Sequence, residues 1–225
     1  MPFADRSDAG HRLALALGAY RTERPVVLAL PRGGVPVAAE VAAALDAPLE
    51  LILVRKIGVP IQPELAMGAV VDGDEPTIVG NDTVIRNAGV SEAMFRACCQ
   101  QELAEIARRR KLYLTGHQSV EVAGRVAIVI DDGIATGATA RAALQALRQR
   151  RPKRLVLAAP VGPFSIIGML RSVADEVIFL EDLDPYGAIG NLYGDFRQVS
   201  DQEVIEILAR FSPRETRPSK PAGAR

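Results

Sequence analysis

The chain has 225 residues, 27 of them basic and 27 acidic, with 48% apolar residues, 4% aromatic and no tryptophan. That length suits one sizeable α/β domain, and a formal charge of zero offers no general attraction for nucleic acid or an anionic membrane. No apolar run approaches the roughly eighteen residues of a membrane span. Asp5, Arg6 and Asp8 interrupt the first residues, so no secretory signal is expected and a cytoplasmic location follows by elimination.

Leu13, Leu17 and Tyr20 recur at helical spacing and predict an amphipathic helix over 8–20. Val26 to Leu30 reads as a short buried strand, then Pro31-Arg32-Gly33-Gly34 as a turn and 35–45 as a helix. A second buried strand, 49–54, ends in Arg55-Lys56, and 57–66 reads as a loop because it holds Gly58, Pro60 and Pro63. Segments 67–72 and 76–80 flank Asp72-Gly73-Asp74-Glu75, whose composition suits a hairpin turn. Ser91 can cap a long helix running to about Leu114, with Arg108 to Lys111 near its C-terminus. Cys98 and Cys99 are neighbours on that helix and point to different faces, which argues against a disulfide or a metal site.

Val126 to Ile130 is an apolar run of strand length ending in Asp131 and Asp132. A short Gly/Thr loop follows, then a helix over 140–150 with Ala143, Leu144 and Leu147 on its apolar face. Strands over 155–160 and 176–180, a helix over 164–173 between them, and a closing helix over 201–211 complete the alternation. The polar, Pro-rich stretch 213–225 is expected to be a disordered tail. The expected architecture is one α/β domain over 1–212: a doubly wound, mostly parallel sheet with helices on both faces. In such sheets ligands bind beyond the carboxyl ends of the strands.

Three strand ends there carry suggestive chemistry. Arg32, Gly33 and Gly34 offer a cation and two residues without a Cβ, so backbone can approach an anion closely. Arg55 and Lys56 offer two more cations. Asp131 and Asp132 stand beside a loop that opens on a helix N-terminus, where backbone N–H groups favour phosphate. Carboxylates repel phosphate, so the pair needs sugar hydroxyls or a divalent cation. Phosphate, sugar and metal together suggest a phosphorylated ribose.

Residues 126–139 resemble the signature of the type I phosphoribosyltransferases: a hydrophobic strand, two acids, then a loop of the form x-x-x-Thr-Gly-x-Thr. The stretch from 26 to about 208 is similar to a bacterial group of phosphoribosyltransferases, including Pro-Arg-Gly-Gly-Val-Pro-Val, Arg-Lys-Ile-Gly, Pro-Glu-Leu-Ala-Met-Gly-Ala-Val and Tyr-Gly-Asp-Phe. The resemblance implies that Asp131 and Asp132 hold the ribose hydroxyls of phosphoribosyl pyrophosphate (PRPP), directly or through Mg2+. It implies that Gly133, Ile134, Ala135, Thr136, Gly137, Ala138 and Thr139 wrap the 5-phosphate. Arg32, Gly33 and Gly34 would form the pyrophosphate loop, which in the family often contains a non-proline cis peptide. Arg55 and Lys56 would begin a mobile lid over 57–66 and act on the leaving group. A hood over about 181–197 would cover the acceptor, with Tyr186 or Tyr193 stacking on a flat ring and Asp195 accepting from its N–H groups; equally, Tyr193 and Phe196 could pack the hood onto the sheet.

The activity so implied is magnesium-dependent transfer of the phosphoribosyl group to a nitrogen acceptor such as a nucleobase, as in nucleotide salvage. Expected partners are PRPP and a small nitrogenous acceptor, neither nucleic acid nor membrane, with a homodimer left open. Two departures blur the acceptor. Ala135 stands where hypoxanthine-guanine members carry an acid, and 57–66 lacks the further lysine and His-Gly of orotate-type members. The rival reading is a PRPP-binding regulatory protein of the same fold without transferase activity.

Overall fold

The computed structural model describes residues 2–73, 76–115, 119–184 and 187–211. The expected tail, Tyr186 and the Asp74-Glu75 half of the expected hairpin turn lie outside them.

Helix α1 (Arg6–Ala16) is capped by the Asp5 side chain, which accepts from the N–H of Asp8. Gly18 ends it earlier than the apolar spacing predicts, and the chain continues as a 3-10 turn, Gly18–Glu23. Strand β1 (Val26–Ala29), helix α2 (Gly34–Leu45) and strand β2 (Leu49–Leu51) form the first crossover unit. Strand β6 (Val126–Ile130), helix α5 (Ala138–Gln149), strand β7 (Arg154–Gly162), the short helix α6 (Ile167–Leu170) and strand β8 (Glu176–Asp182) continue it, and helix α7 (Asp201–Ala209) closes the fold. The main sheet runs β2-β1-β6-β7-β8 with every pair parallel, so β6 is its central strand.

Alternation along β6 explains the two layers. Val126, Ile128 and Ile130 enter a core shared with α1, α2 and α7, while Ala127 and Val129 enter one shared with α5 and α6. All five residues are buried, as a parallel strand covered on both faces requires.

A second, antiparallel sheet departs from expectation. Residues 57–66 do not form a loop: β3 (Val54–Val59) and β4 (Gln62–Val71) pair as a tight hairpin, and β5 (Thr77–Gly80) pairs with β4. The Gly and Pro content that suggests a loop instead serves the hairpin. A Cβ on Gly58 would lie 2.5 Å from the Pro63 carbonyl oxygen, so glycine is what lets the strands cross closely at a register shift. This sheet packs between α4 (Glu92–Tyr113) and α5, with the short helix α3 (Asp82–Asn87) beside it. The expected helix over 164–173 is also reduced, to a 3-10 turn at Phe164–Ile166 and the single turn of α6.

The hood is not made from the C-terminal segment alone. Phe3 bridges to Tyr193, the N–H of Phe3 donates to the Leu192 carbonyl, and the N–H groups of Gly194 and Asp195 donate to the carbonyls of Phe3 and Ala4. Phe3, Tyr193 and Leu183 form a small separate core beneath it. Among the described residues no helix is long and apolar enough to cross a membrane.

Candidate active site

β6 delivers Asp131 and Asp132 to the carboxyl edge of the main sheet. The neighbouring strand end is held alongside, because the N–H of Leu30 donates to the Ile130 carbonyl at 2.9 Å. The turn at 31–34 then folds over the acids, and its Pro31–Arg32 peptide is cis. Its glycines are required by proximity. A Cβ on Gly33 would stand 2.0 Å from Oδ2 of Asp132, and one on Gly34 would stand 2.7 Å from the Ile130 carbonyl oxygen.

The acids differ in environment. The N–H of Asp132 donates to Oδ1 of Asp131 at 3.0 Å. Burial, then the negative charge of Asp132 beside it, pushes the Asp131 carboxyl well above the usual carboxylate range. Asp132 accepts from Arg6 Nε at 2.7 Å, and its backbone carbonyl accepts from the Tyr193 hydroxyl at 2.6 Å.

The loop 133–137 hangs between these acids and β7. The N–H of Ile134 donates to the Val161 carbonyl at 2.8 Å, which fixes the loop's middle. Gly133 lies against Ile189 of the hood, where a Cβ would come within 2.4 Å of a methyl carbon. Gly137 takes φ +76° as it enters α5, a left-handed conformation that favours glycine. Among the described residues the N–H groups of Ala135, Thr136 and Gly137 have no acceptor in the chain. They stand at a helix N-terminus beside the exposed Thr136 and Thr139 hydroxyls, a ready cradle for an anion.

The other expected site residues divide. Arg32 reaches Asp201 at the start of α7, Nη1 to Oδ1 at 3.3 Å, and Asp201 also accepts from the Tyr113 hydroxyl. That bond, followed by the charge of Arg32, lowers the Asp201 pKa, while burial first and the same bond second raise Tyr113 to about 12. Among the described residues neither Arg55 nor Lys56 pairs with the acids. They lie within β3, where Arg55 Nε donates to Glu102 of α4 at 2.7 Å and Lys56 pairs with Glu64 across the hairpin. The physical reason is that β2 stops at Leu51, so the cations belong to the antiparallel sheet and not to a parallel strand end.

Tyr193 is not available for stacking on an acceptor. It is 2% exposed, with ring centroids of Phe3 and Phe196 at 5.4 and 4.9 Å, so it packs the hood. Burial is also the main cause that raises its hydroxyl pKa. Asp195 is exposed and accepts from the N–H of Arg197 at 3.0 Å. It lines a groove of about 440 Å3 with Asp5, Arg6, Pro36, Arg197 and Val199, and of these Arg6 also pairs with Asp132. Sequence reasoning gives Arg6 no role in the site, since a basic residue in the first turn of an exposed helix carries no local signal.

A parallel sheet wound on both faces, with two acids leaving its central strand beside a glycine-tight turn, is the architecture that the resemblance of 126–139 leads one to expect. Comparison with known proteins agrees. The family model described as the phosphoribosyl transferase domain matches residues 9–178. Two Mycobacterium tuberculosis proteins, from strains CDC 1551 and H37Rv, are each 45% identical over 208 residues and are provisionally named phosphoribosyl transferases. The match covers 92% of this chain but 46% of each relative's length. The crystal structure of TT1426 from Thermus thermophilus superposes with a TM-score of 0.82 at 38% identity, covering 95% of this chain and all of that one. The chain belongs to the phosphoribosyl transferase family.

Proposed function

We propose that the chain takes the phosphoribosyl group of PRPP and transfers it to a nitrogen atom of a small acceptor such as a nucleobase, releasing pyrophosphate. The observation that carries this reading is the juxtaposition, within one loop after β6, of two acids and three N–H groups with no acceptor among the described residues. Asp131 and Asp132 would hold ribose hydroxyls, while the N–H groups of 135–137 and the Thr136 and Thr139 hydroxyls would hold the 5-phosphate. Arg32 with Gly33 and Gly34 would receive the pyrophosphate, Arg32 turning from Asp201 to do so.

Two adjacent carboxylates suit a Mg2+ ion, which takes oxygen ligands and is commonly bound by one or two carboxylates plus substrate phosphates. Asp131 and Asp132 are the residues that would hold such an ion, together with oxygens of the diphosphate; among the described residues there is no cluster of three or more His, Cys, Asp or Glu. When bound, it supplies positive charge to the departing pyrophosphate. The protein's own work is orientation: the acids and the phosphate cradle fix the ribose, so that a nucleophile held in line meets an anomeric carbon developing oxocarbenium character.

PRPP binding without transfer is a second reading, favoured by Ala135 and by the engagement of Arg55 and Lys56 away from the acids. One experiment separates the two. The protein is incubated with Mg2+, PRPP and a panel of purine and pyrimidine bases while pyrophosphate release is followed. Release with one base supports transfer and names the acceptor; calorimetric binding of PRPP with no release supports the regulatory reading; absence of binding removes both.

A further inference from the structure

Arg6 begins α1, yet its side chain crosses to the end of β6. Nε donates to Asp132 Oδ2 at 2.7 Å, Nη1 donates to the Arg197 carbonyl at 2.8 Å, and the guanidinium carbon lies 4.0 Å from the centroid of the Phe196 ring. The side chains of Arg6 and Asp132 are 11% and 14% exposed. An arginine normally retains much rotamer freedom, and here contacts to the acid, to a main-chain carbonyl and to a ring remove it. Asp132 is pinned from the other end by Tyr193, whose hydroxyl donates to its backbone carbonyl.

The two oxygens of the Asp132 carboxylate are used unequally. Oδ2 takes the Arg6 hydrogen bond, whereas Oδ1 takes none from Arg6 and the Asp131 carboxyl lies against the Asp132 carboxylate. The terminal torsion of an aspartate is broad and roughly two-fold, so a carboxylate without a partner turns freely. Arg6 removes that freedom, because its planar guanidinium is itself anchored to the Arg197 carbonyl and stacked on Phe196. A plug would cover both oxygens. This contact covers one.

We propose that Arg6 is a positioning residue for the acid pair: by occupying Oδ2 of Asp132 it presents Oδ1 to a ribose hydroxyl. The proposal rests on the phosphoribosyl reading for the identity of the ligand. Arg6 touches neither the sugar nor the reacting carbon in this scheme, and it acts through the orientation of Asp132. Lysine in its place could supply charge but not the fork that also grips the Arg197 carbonyl.

The test crosses a protein deletion with a ligand deletion. Binding of ribose 5-phosphate and of its 2-deoxy and 3-deoxy analogues is measured by calorimetry on the full chain, wild type and Arg6→Ala. In the wild type, one deoxy analogue is expected to bind at least about tenfold more weakly than ribose 5-phosphate, the loss of one hydrogen bond to a charged group. In Arg6→Ala, ribose 5-phosphate itself should weaken by about tenfold and the penalty for the missing hydroxyl should shrink below about threefold. Arg6→Lys should fall between them. Thermal unfolding of each variant is recorded, and where Arg6→Ala fails to fold, Arg6→Met, which keeps an apolar stem over Phe196, is read in the same way. A merely structural arginine would lower stability and leave the hydroxyl penalty unchanged; that result overturns the proposal, as does tighter binding by Arg6→Ala, which would make the contact a plug. A wild-type protein that binds neither ribose 5-phosphate nor PRPP overturns the phosphoribosyl reading itself and removes the proposed ligand with it.

Discussion

Gly33→Ala is the smallest change that interrogates the acid pair. Gly33 has φ −59° and ψ −36°, a conformation that alanine adopts freely, so the substitution introduces no backbone strain and would by itself stabilise by about 0.4–1 kcal/mol through the unfolded chain. The cost is local. The new methyl would stand 2.0 Å from Oδ2 of Asp132 and 2.5 Å from its Cγ, distances no real contact tolerates. The carboxylate is the soft partner, so it rotates away and gives up the bond from Arg6. Loss of a hydrogen bond to a charged group costs about 1.5–3 kcal/mol, which outweighs the backbone gain and leaves a net destabilisation of roughly 0.5–2.6 kcal/mol. For a protein of this size that lowers the unfolding midpoint by about 1–10 °C. PRPP binding should weaken by roughly 10- to 150-fold, the same hydrogen-bond energy expressed as affinity. Calorimetric titration with PRPP and Mg2+ reads the affinity, and thermal unfolding followed by circular dichroism reads the stability. Gly18→Ala is the control, because nothing lies within 4 Å of its added methyl. PRPP affinity in Gly33→Ala within about twofold of wild type would refute the placement of the ribose at Asp132.

Three further outcomes are expected. Asp131→Asn combined with Asp132→Asn should abolish PRPP binding in calorimetry while the protein stays folded; retained binding would displace the ribose from the end of β6. Tyr193→Phe removes a buried donor and leaves the Asp132 carbonyl without that bond, which should cost about 1–3 kcal/mol in denaturant unfolding. Glu203 in the capping box of α7 is held at about 2, first by the Arg197 guanidinium and then by Ser200, so its folded-state pKa lies below its unfolded one. Its contribution is therefore present above the ordinary carboxylate range and is lost as pH falls from about 4.5 toward 2. The stability gap between wild type and Glu203→Gln, measured by urea unfolding, should accordingly close across that window, and a gap that stays constant would contradict the assignment.

The parallel sheet and its central acids are legible in the sequence because their signals are local. A fully apolar strand, two acids and a glycine-marked helix start lie within fourteen consecutive residues, 126–139. The β3–β4 hairpin is not legible, because Gly58, Pro60 and Pro63 are punctuation for a loop and equally for a bulged turn; only the close approach of Gly58 to Pro63 decides between them. The strand that carries Arg55 and Lys56 is hidden for the same reason, since a cation pair after an apolar run looks alike at a parallel strand end and inside an antiparallel edge. Arg6 and Phe3 are invisible for a different reason. Their partners, Asp132 and Tyr193, lie more than a hundred residues away, and nothing near Arg6 or Phe3 in the chain marks either as part of the site. Tyr193 has two readings in the sequence, and its burial against Phe3 and Phe196 selects packing.

The cations that the sequence and the structure offer to this site already have partners within the chain: Arg6 with Asp132, Arg32 with Asp201 and, in the antiparallel sheet, Arg55 with Glu102 and Lys56 with Glu64. A polyanionic substrate therefore gains from these side chains only the difference between old and new partners, and in partly exposed pairs such differences are small. The N–H groups of Ala135, Thr136 and Gly137 are in another position, for among the described residues they give up no partner in the chain when they meet a phosphate. Their donor geometry is set by the left-handed Gly137 and by the Ile134–Val161 hydrogen bond, so little ordering remains to be done on binding. The affinity for a phosphoribosyl ligand should accordingly reside mainly in the backbone cradle and weaken only modestly with salt, whereas a site relying on unpaired cations would lose affinity steeply. A steep loss of PRPP affinity between low and physiological ionic strength, at fixed Mg2+, would mean that the cations exchange partners at little cost and lead the binding after all.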